Sequence, residues 1–169
     1  MREWNVSRCP TATLWTSGPV RGSRRRERHV AAVVNAEVPR SREKDIPLIV
    51  ASGPILLVED DPDVRLMMAT SLELDGAAVI TAANGAEAFN LARAHHPALI
   101  VLDLMMPVMS GEEFRKAQLA NQSLSRIPVV VVSAHFDAPH IARRMKAVGC
   151  FMKPLDLEAF GVFVKKWYR

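Results

Sequence analysis

Ile55-Leu56-Leu57-Val58-Glu59-Asp60-Asp61-Pro62-Asp63-Val64 changes character twice in a short space. An apolar run of strand length meets three acids, and the acids meet a helix start. Asp61 is a suitable N-cap, and Pro62 suits the first helical turn, where a missing N–H costs nothing. The stretch therefore reads as a strand over 55–59 that delivers acids to the mouth of a helix. Two other runs end in charge in the same way. Leu99-Ile100-Val101-Leu102 leads into Asp103, and Cys150-Phe151-Met152 leads into Lys153-Pro154.

The pattern between these runs is regular. Val64, Met67, Met68 and Leu72 have helical spacing, and Gly76 ends that helix. A strand follows at about 78–82. Asn84 caps a second helix with Ala86, Phe89 and Ala92 on its faces, and Pro97 lies beyond its end. The third strand is about 98–102, and Ser110 caps a third helix over about 111–120. Pro128 introduces Val129-Val130-Val131-Val132, a β-branched run that suits a strand buried on both faces and that ends at Ser133. A helix at about 138–147, a strand at about 150–152 and a helix at about 156–167 complete five β/α units. Strands alternating with helices at this spacing argue for an α/β fold with a parallel sheet covered on both faces.

In open α/β sheets, ligands bind beyond the carboxyl ends of the strands. Glu59, Asp60, Asp103, Ser133 and Lys153 all fall at such ends. Taken singly, each has a plain structural reading: an Asp after a strand is usually a helix cap, a Ser a turn residue, a Lys before Pro a solvated cation. Asp61 keeps that reading, as a cap and not a ligand. Collected on one edge, the carboxylates would repel one another unless a cation sat among them, which suggests a Mg²⁺-assisted phosphoryl site.

Composition bounds the reading. The chain has 169 residues, of which 49% are hydrophobic, enough for one domain with a real core. No stretch approaches the roughly 18 apolar residues of a membrane span, and the N-terminus lacks the apolar region of a secretory signal. Cys9 and Cys150 have no metal or redox spacing, so a reducing cytoplasm is expected. Residues 1–53 carry 10 Lys/Arg against 5 Asp/Glu, whereas residues 54–169 carry 12 against 13. The basicity belongs to the N-terminal segment, which is rich in Pro and Gly and reads as a poorly ordered extension. Three readings of it stand side by side. It is a tail with no specific role; or translation starts downstream at a non-Met codon, since no Met lies between Met1 and Met67; or Arg24-Arg25-Arg26 and Arg28 contact nucleic acid or acidic lipid.

From Pro54 to Arg169 the chain resembles the receiver domain of two-component response regulators. The match is carried by the Ile55–Arg65 strand and acidic turn, by Asp103 followed at +4 by Pro107 and at +8 by Gly111, by Val129–Ala134, and by Lys153-Pro154. The resemblance implies a doubly wound, flavodoxin-like (βα)5 sheet in strand order 2-1-3-4-5, and a cis Lys153–Pro154 bond. It implies that Asp103 accepts a phosphoryl group from a histidine kinase or histidine phosphotransfer protein. Glu59, Asp60, Asp103 and the Met105 backbone carbonyl would hold Mg²⁺. Lys153 and Ser133 would contact the phosphoryl oxygens, Ser133 would move inward as a switch, and His135 would influence how fast phosphate is lost.

One position departs from the family. The aromatic residue expected three places before the Lys is Cys150, and the neighbouring Phe151 is expected to pack in the core. Cys150 itself reads as a small buried residue. The His95-His96 pair and His140 read as surface residues. Met67-Met68 and Met105-Met106 read as core and loop packing, and Trp167 and Tyr168 as a cap on the core. The chain stops after the last helix, so a single-domain switch that binds an unidentified protein target is expected, and not an enzyme. A phosphohydrolase of the haloacid dehalogenase type would carry a second Asp at position 105, where this chain has Met. A degenerate receiver that only binds proteins would not need the full set of site residues.

Overall fold

The computed structural model describes residues 53–168. The expectations for the basic extension, Cys9 and residues 1–52 lie outside the described residues. Five strands and five helices alternate strictly: β1 (Ile55–Val58), α1 (Pro62–Leu74), β2 (Val79–Ala82), α2 (Gly85–His95), β3 (Leu99–Leu102), α3 (Gly111–Ala120), β4 (Val129–Ser133), α4 (Ala138–Arg144), β5 (Gly149–Met152) and α5 (Leu157–Val164). The sheet is parallel throughout, in the order β2-β1-β3-β4-β5.

Alternation along each strand divides the core in two. Leu56, Ile100, Val131 and Cys150 face the layer that includes Ala88, Phe114 and Ile141 of α2, α3 and α4. Leu57, Val101, Val130 and Phe151 face Met68 and Leu72 of α1 and Phe160 and Val164 of α5. β1 and β3 are buried along their whole length, which is why they read as unbroken apolar runs.

The helix starts follow the capping signals. The Asp61 carboxylate accepts from the N–H groups of Asp63 and Val64, Asn84 from that of Glu87, and Ser110 and Glu113 form a reciprocal capping box. Helix ends follow them less well. α4 stops at Arg144, short of the expected 147, because Lys146 turns left-handed at φ 55°. The α4 end is held from α3: Arg115 donates from Nε to the Met145 carbonyl at 3.0 Å and from Nη2 to the Lys146 carbonyl at 3.3 Å. α5 ends at Val164, before the expected 167, and Trp167 and Tyr168 pack back onto the α1/α5 side of the core. Met67 is a correction: it is 46% exposed, and the buried stripe of α1 is Met68, Ala69 and Leu72. Met105 likewise points to solvent while Met106 is buried. His95, His96 and His140 are exposed.

Phe151 anchors the α5 side, edge-on to Phe160 and Phe163 at 5.3 Å between ring centres in each pair. Replacing Phe151 with Ala is expected to cost about 3–5 kcal/mol in urea unfolding.

Candidate functional site

Parallel pairing sets β1, β3, β4 and β5 side by side with their carboxyl ends on one edge, and the charged residues of four separate stretches meet there. Lys153 Nζ lies 2.7 Å from Glu59 Oε2 and 2.6 Å from Asp103 Oδ2. Glu59 is 2% exposed and Asp103 5%. Asp60 completes the group: one carboxylate oxygen from each of Glu59, Asp60 and Asp103 lies within 4.8 Å of the others. Three carboxylates with one ammonium leave excess negative charge in a confined space. Hard oxygen donors in that arrangement suit a small divalent cation such as Mg²⁺.

The backbone aims Asp103. Its Oδ1 accepts from the N–H of Leu104 at 2.5 Å and of Met105 at 3.2 Å, while Oδ2 meets Lys153. The loop can close this tightly because Gly111 comes back beneath it. A Cβ on Gly111 would lie 2.2 Å from the Asp103 carbonyl oxygen. The sequence spacing of Asp103 and Gly111 therefore reflects a close backbone approach. Between them Val108 is held at φ 68°, a conformation that strains a β-branched residue.

Ser133 is fully buried at the end of β4, on the sheet face that β-alternation shares with Val131. Its Oγ accepts from the His135 N–H at 3.3 Å, and its carbonyl accepts from the Lys153 N–H at 3.0 Å. That second bond, at the open end of the β4–β5 ladder, brings Ser133 and Lys153 to the same corner. The Lys153–Pro154 bond is cis. His135 follows at the mouth, stacked at 4.9 Å on Phe136, an 85% exposed ring that the sequence pattern did not single out. Cys150 is buried against the α4 layer, opposite Val131 in the strand register. Phe151 packs on the other face, as expected, and so cannot stand in for an aromatic at position 150.

Two electrostatic consequences follow. Burial, reinforced by the Asp103 charge and opposed by the Lys153 hydrogen bond, pushes the Glu59 carboxyl above its ordinary 4.5. Desolvation opposes the charged form of Lys153, but its bonds to Asp103 and Glu59 outweigh it and hold the amine above 10.5.

Residues 55–164 match the response regulator receiver domain family. The chain belongs to that family. This receiver is 32% identical over 116 residues to the polar-differentiation response regulator DivK of Brucella ovis, across 67% of this chain and 94% of DivK. It is 30% identical over 118 residues to the regulatory protein AtoC of Escherichia coli K12, across 69% of this chain but 25% of AtoC. The Vibrio cholerae chemotaxis protein CheY4 matches its structure with a TM-score of 0.63 at 28% identity, covering 69% of this chain and 99% of CheY4. A receiver protein from Pseudomonas putida shares the fold, with a TM-score of 0.64 at 24% identity over 69% of this chain and 98% of that one. The expected family and sheet order thus both hold. Among the described residues, no helix is long and apolar enough to cross a membrane.

The geometry of the receiver generates two predictions. A carboxyl whose pKa is raised by folding opposes folding when ionised, above its folded pKa. Glu59→Gln should therefore raise the urea midpoint in EDTA at pH 8. The gain should shrink as pH falls through the raised pKa of Glu59 towards 4.5; a lower midpoint at pH 8 would contradict the balance described. Val108→Gly should relieve left-handed strain of about 1–2 kcal/mol, partly offset by added chain entropy, and raise the melting temperature. Scanning calorimetry would measure the change.

Proposed function

We propose that this receiver is a phosphoacceptor switch in two-component signalling, with Asp103 as the residue that takes the phosphoryl group. The observation that carries the reading is the convergence of Glu59, Asp60, Asp103 and Lys153 at one strand edge. The donor is a phosphohistidine on a histidine kinase or phosphotransfer protein. A carboxylate oxygen of Asp103 attacks phosphorus, the P–N bond breaks, and the imidazole leaves with the electron pair. The product is an acyl phosphate on Asp103.

Each neighbour has a role in that transfer. The N–H groups of Leu104 and Met105 orient the nucleophile. The Lys153 ammonium, already against Asp103, follows the incoming phosphoryl oxygens and offsets their charge. Glu59, Asp60, Asp103 and the Met105 carbonyl would hold Mg²⁺, which would neutralise charge on the transferred group. The Ser133 hydroxyl turns from its own loop to donate to the phosphate, and His135 at the mouth modulates how long the phosphate lasts. Met105, two residues past Asp103, has no proton to give a leaving group, which favours a phosphoacceptor over a phosphohydrolase. The added charge of about −1.5 to −2 then changes how α4 and β5 pack, and with them the binding of a protein target. Cys150 lies in that packing and takes the place of a switching aromatic. The cytoplasm, where kinase and receiver meet, is the compartment this reading requires.

Incubation with acetyl phosphate and Mg²⁺ followed by intact mass tests the reading. One added phosphoryl group is expected in the native chain, and none in Asp103→Asn or in EDTA. A native chain that stays unlabelled with acetyl phosphate and with a phosphohistidine donor alike would overturn it.

A further inference from the structure

Arg65 stands in the first turn of α1, with its own N–H bonded to the Asp61 carbonyl at 2.9 Å. Its side chain curls back over the end of β1. Nη1 donates to the Glu59 carbonyl at 2.5 Å and to the Asp60 carbonyl at 3.1 Å. These carbonyls belong to the two peptide planes that flank the Asp60 Cα. The Asp60 carboxylate is unlike the other two in the cluster. Glu59 is tied to Lys153, and Asp103 to Lys153 and two amides. Among the described residues no hydrogen bond or ion pair holds the Asp60 carboxylate, so its aim depends on its backbone. Arg65, meanwhile, forms no ion pair among the described residues, although Glu73 lines the same groove beside α1. Among the described residues, its side-chain hydrogen bonds all go to these two carbonyls.

We propose that Arg65 is a positioning residue for the metal site: by bridging the Glu59 and Asp60 carbonyls it fixes where the Asp60 carboxylate points. It also occupies the Glu59 and Asp60 backbone oxygens, which could otherwise turn towards a cation. The inference rests on the reading of Glu59, Asp60 and Asp103 as the Mg²⁺ site. Two effects of opposite sign compete when Arg65 is removed. Losing a nearby positive charge favours the cation, but that charge is partly exposed and screened. Losing an outer-shell partner that orients a ligand typically weakens metal affinity by 10–100-fold. The second effect is larger. Geometry matters as well as charge: the two N–H groups of Nη1 are fixed in the guanidinium plane, whereas a lysine ammonium is a point charge on a flexible stem and holds no fixed bridge between the two carbonyls.

The test is calorimetric titration of MgCl2 into the full chain, its Arg65→Met and Arg65→Lys variants, and Asp60→Asn, with urea unfolding in EDTA measured for each. Arg65→Met is expected to raise the Mg²⁺ dissociation constant about tenfold. Arg65→Lys should also weaken binding, although charge is kept. The rate of Asp103 labelling by acetyl phosphate should recover in both when Mg²⁺ is raised to saturation, since only the metal step is impaired. Should Arg65→Met fail to fold, the Arg65→Lys titration decides. An unchanged dissociation constant in the variants, with the native chain binding Mg²⁺ and Asp60→Asn not, would overturn the role of Arg65 while leaving the metal site intact. A native chain that does not bind Mg²⁺ would overturn both.

Discussion

Lys153 Nζ bridges two nearly sealed carboxylates, Glu59 and Asp103, and the arrangement of the receiver's working edge depends on that contact. Glu59, Asp60 and Asp103 crowd together with one ammonium between two of them. Removing a charge from water costs several kcal/mol even after relaxation, and a buried ion pair repays it only when its geometry is good. Stability alone is therefore a poor reason for such a cluster. The cluster is left short of neutrality by its own residues, which accords with the cation proposed to bind there.

The sheet makes the bridge possible. β3 pairs with β4 and β4 with β5, so Asp103, Ser133 and Lys153 leave three adjacent strands at one level. β1 lies on the other side of β3 and contributes the acidic turn. The close passage of Gly111 beneath the Asp103 carbonyl holds the β3–α3 loop against the sheet edge. Where the loop has to turn back, Val108 adopts a left-handed conformation that its side chain does not favour. Local strain next to a functional residue is a common accompaniment of preorganisation.

On the α4 side the design departs from the family pattern. Cys150 and Phe151 are neighbours in sequence, yet they belong to opposite faces of the sheet. The large ring supports α5, and the small thiol faces Ile141, Ala142 and Met145 of the α4 layer. α4 itself is seven residues long, lacks a side-chain N-cap bond, and is tied at its other end by the buried Arg115. With a small residue under a short helix, the proposed phosphorylation would act on the packing of α4 as a whole, and not on the turn of a single ring.

Much of this was legible in the sequence. Apolar runs marked the strands, Asp61, Asn84 and Ser110 marked helix starts, and Glu59, Asp60, Asp103, Ser133 and Lys153 stood out as candidates by their places at strand ends. These are local signals, set by burial of a face and by bonds within one turn. Strand order came from resemblance to a family, since periodicity reports which face is buried and not which strand lies beside which. What only the tertiary structure decided involves distant partners. Lys153 lies 94 residues from Glu59 and 50 from Asp103 along the chain. Arg115 reaches carbonyls 30 and 31 residues away. Arg65 closes the strand-and-acidic-turn stretch in sequence, and only the fold brings its side chain back onto the end of β1. The sequence by itself determined which groups stand at the strand ends; parallel pairing decided their distances, because register between remote segments is what converts a list of charges into a site.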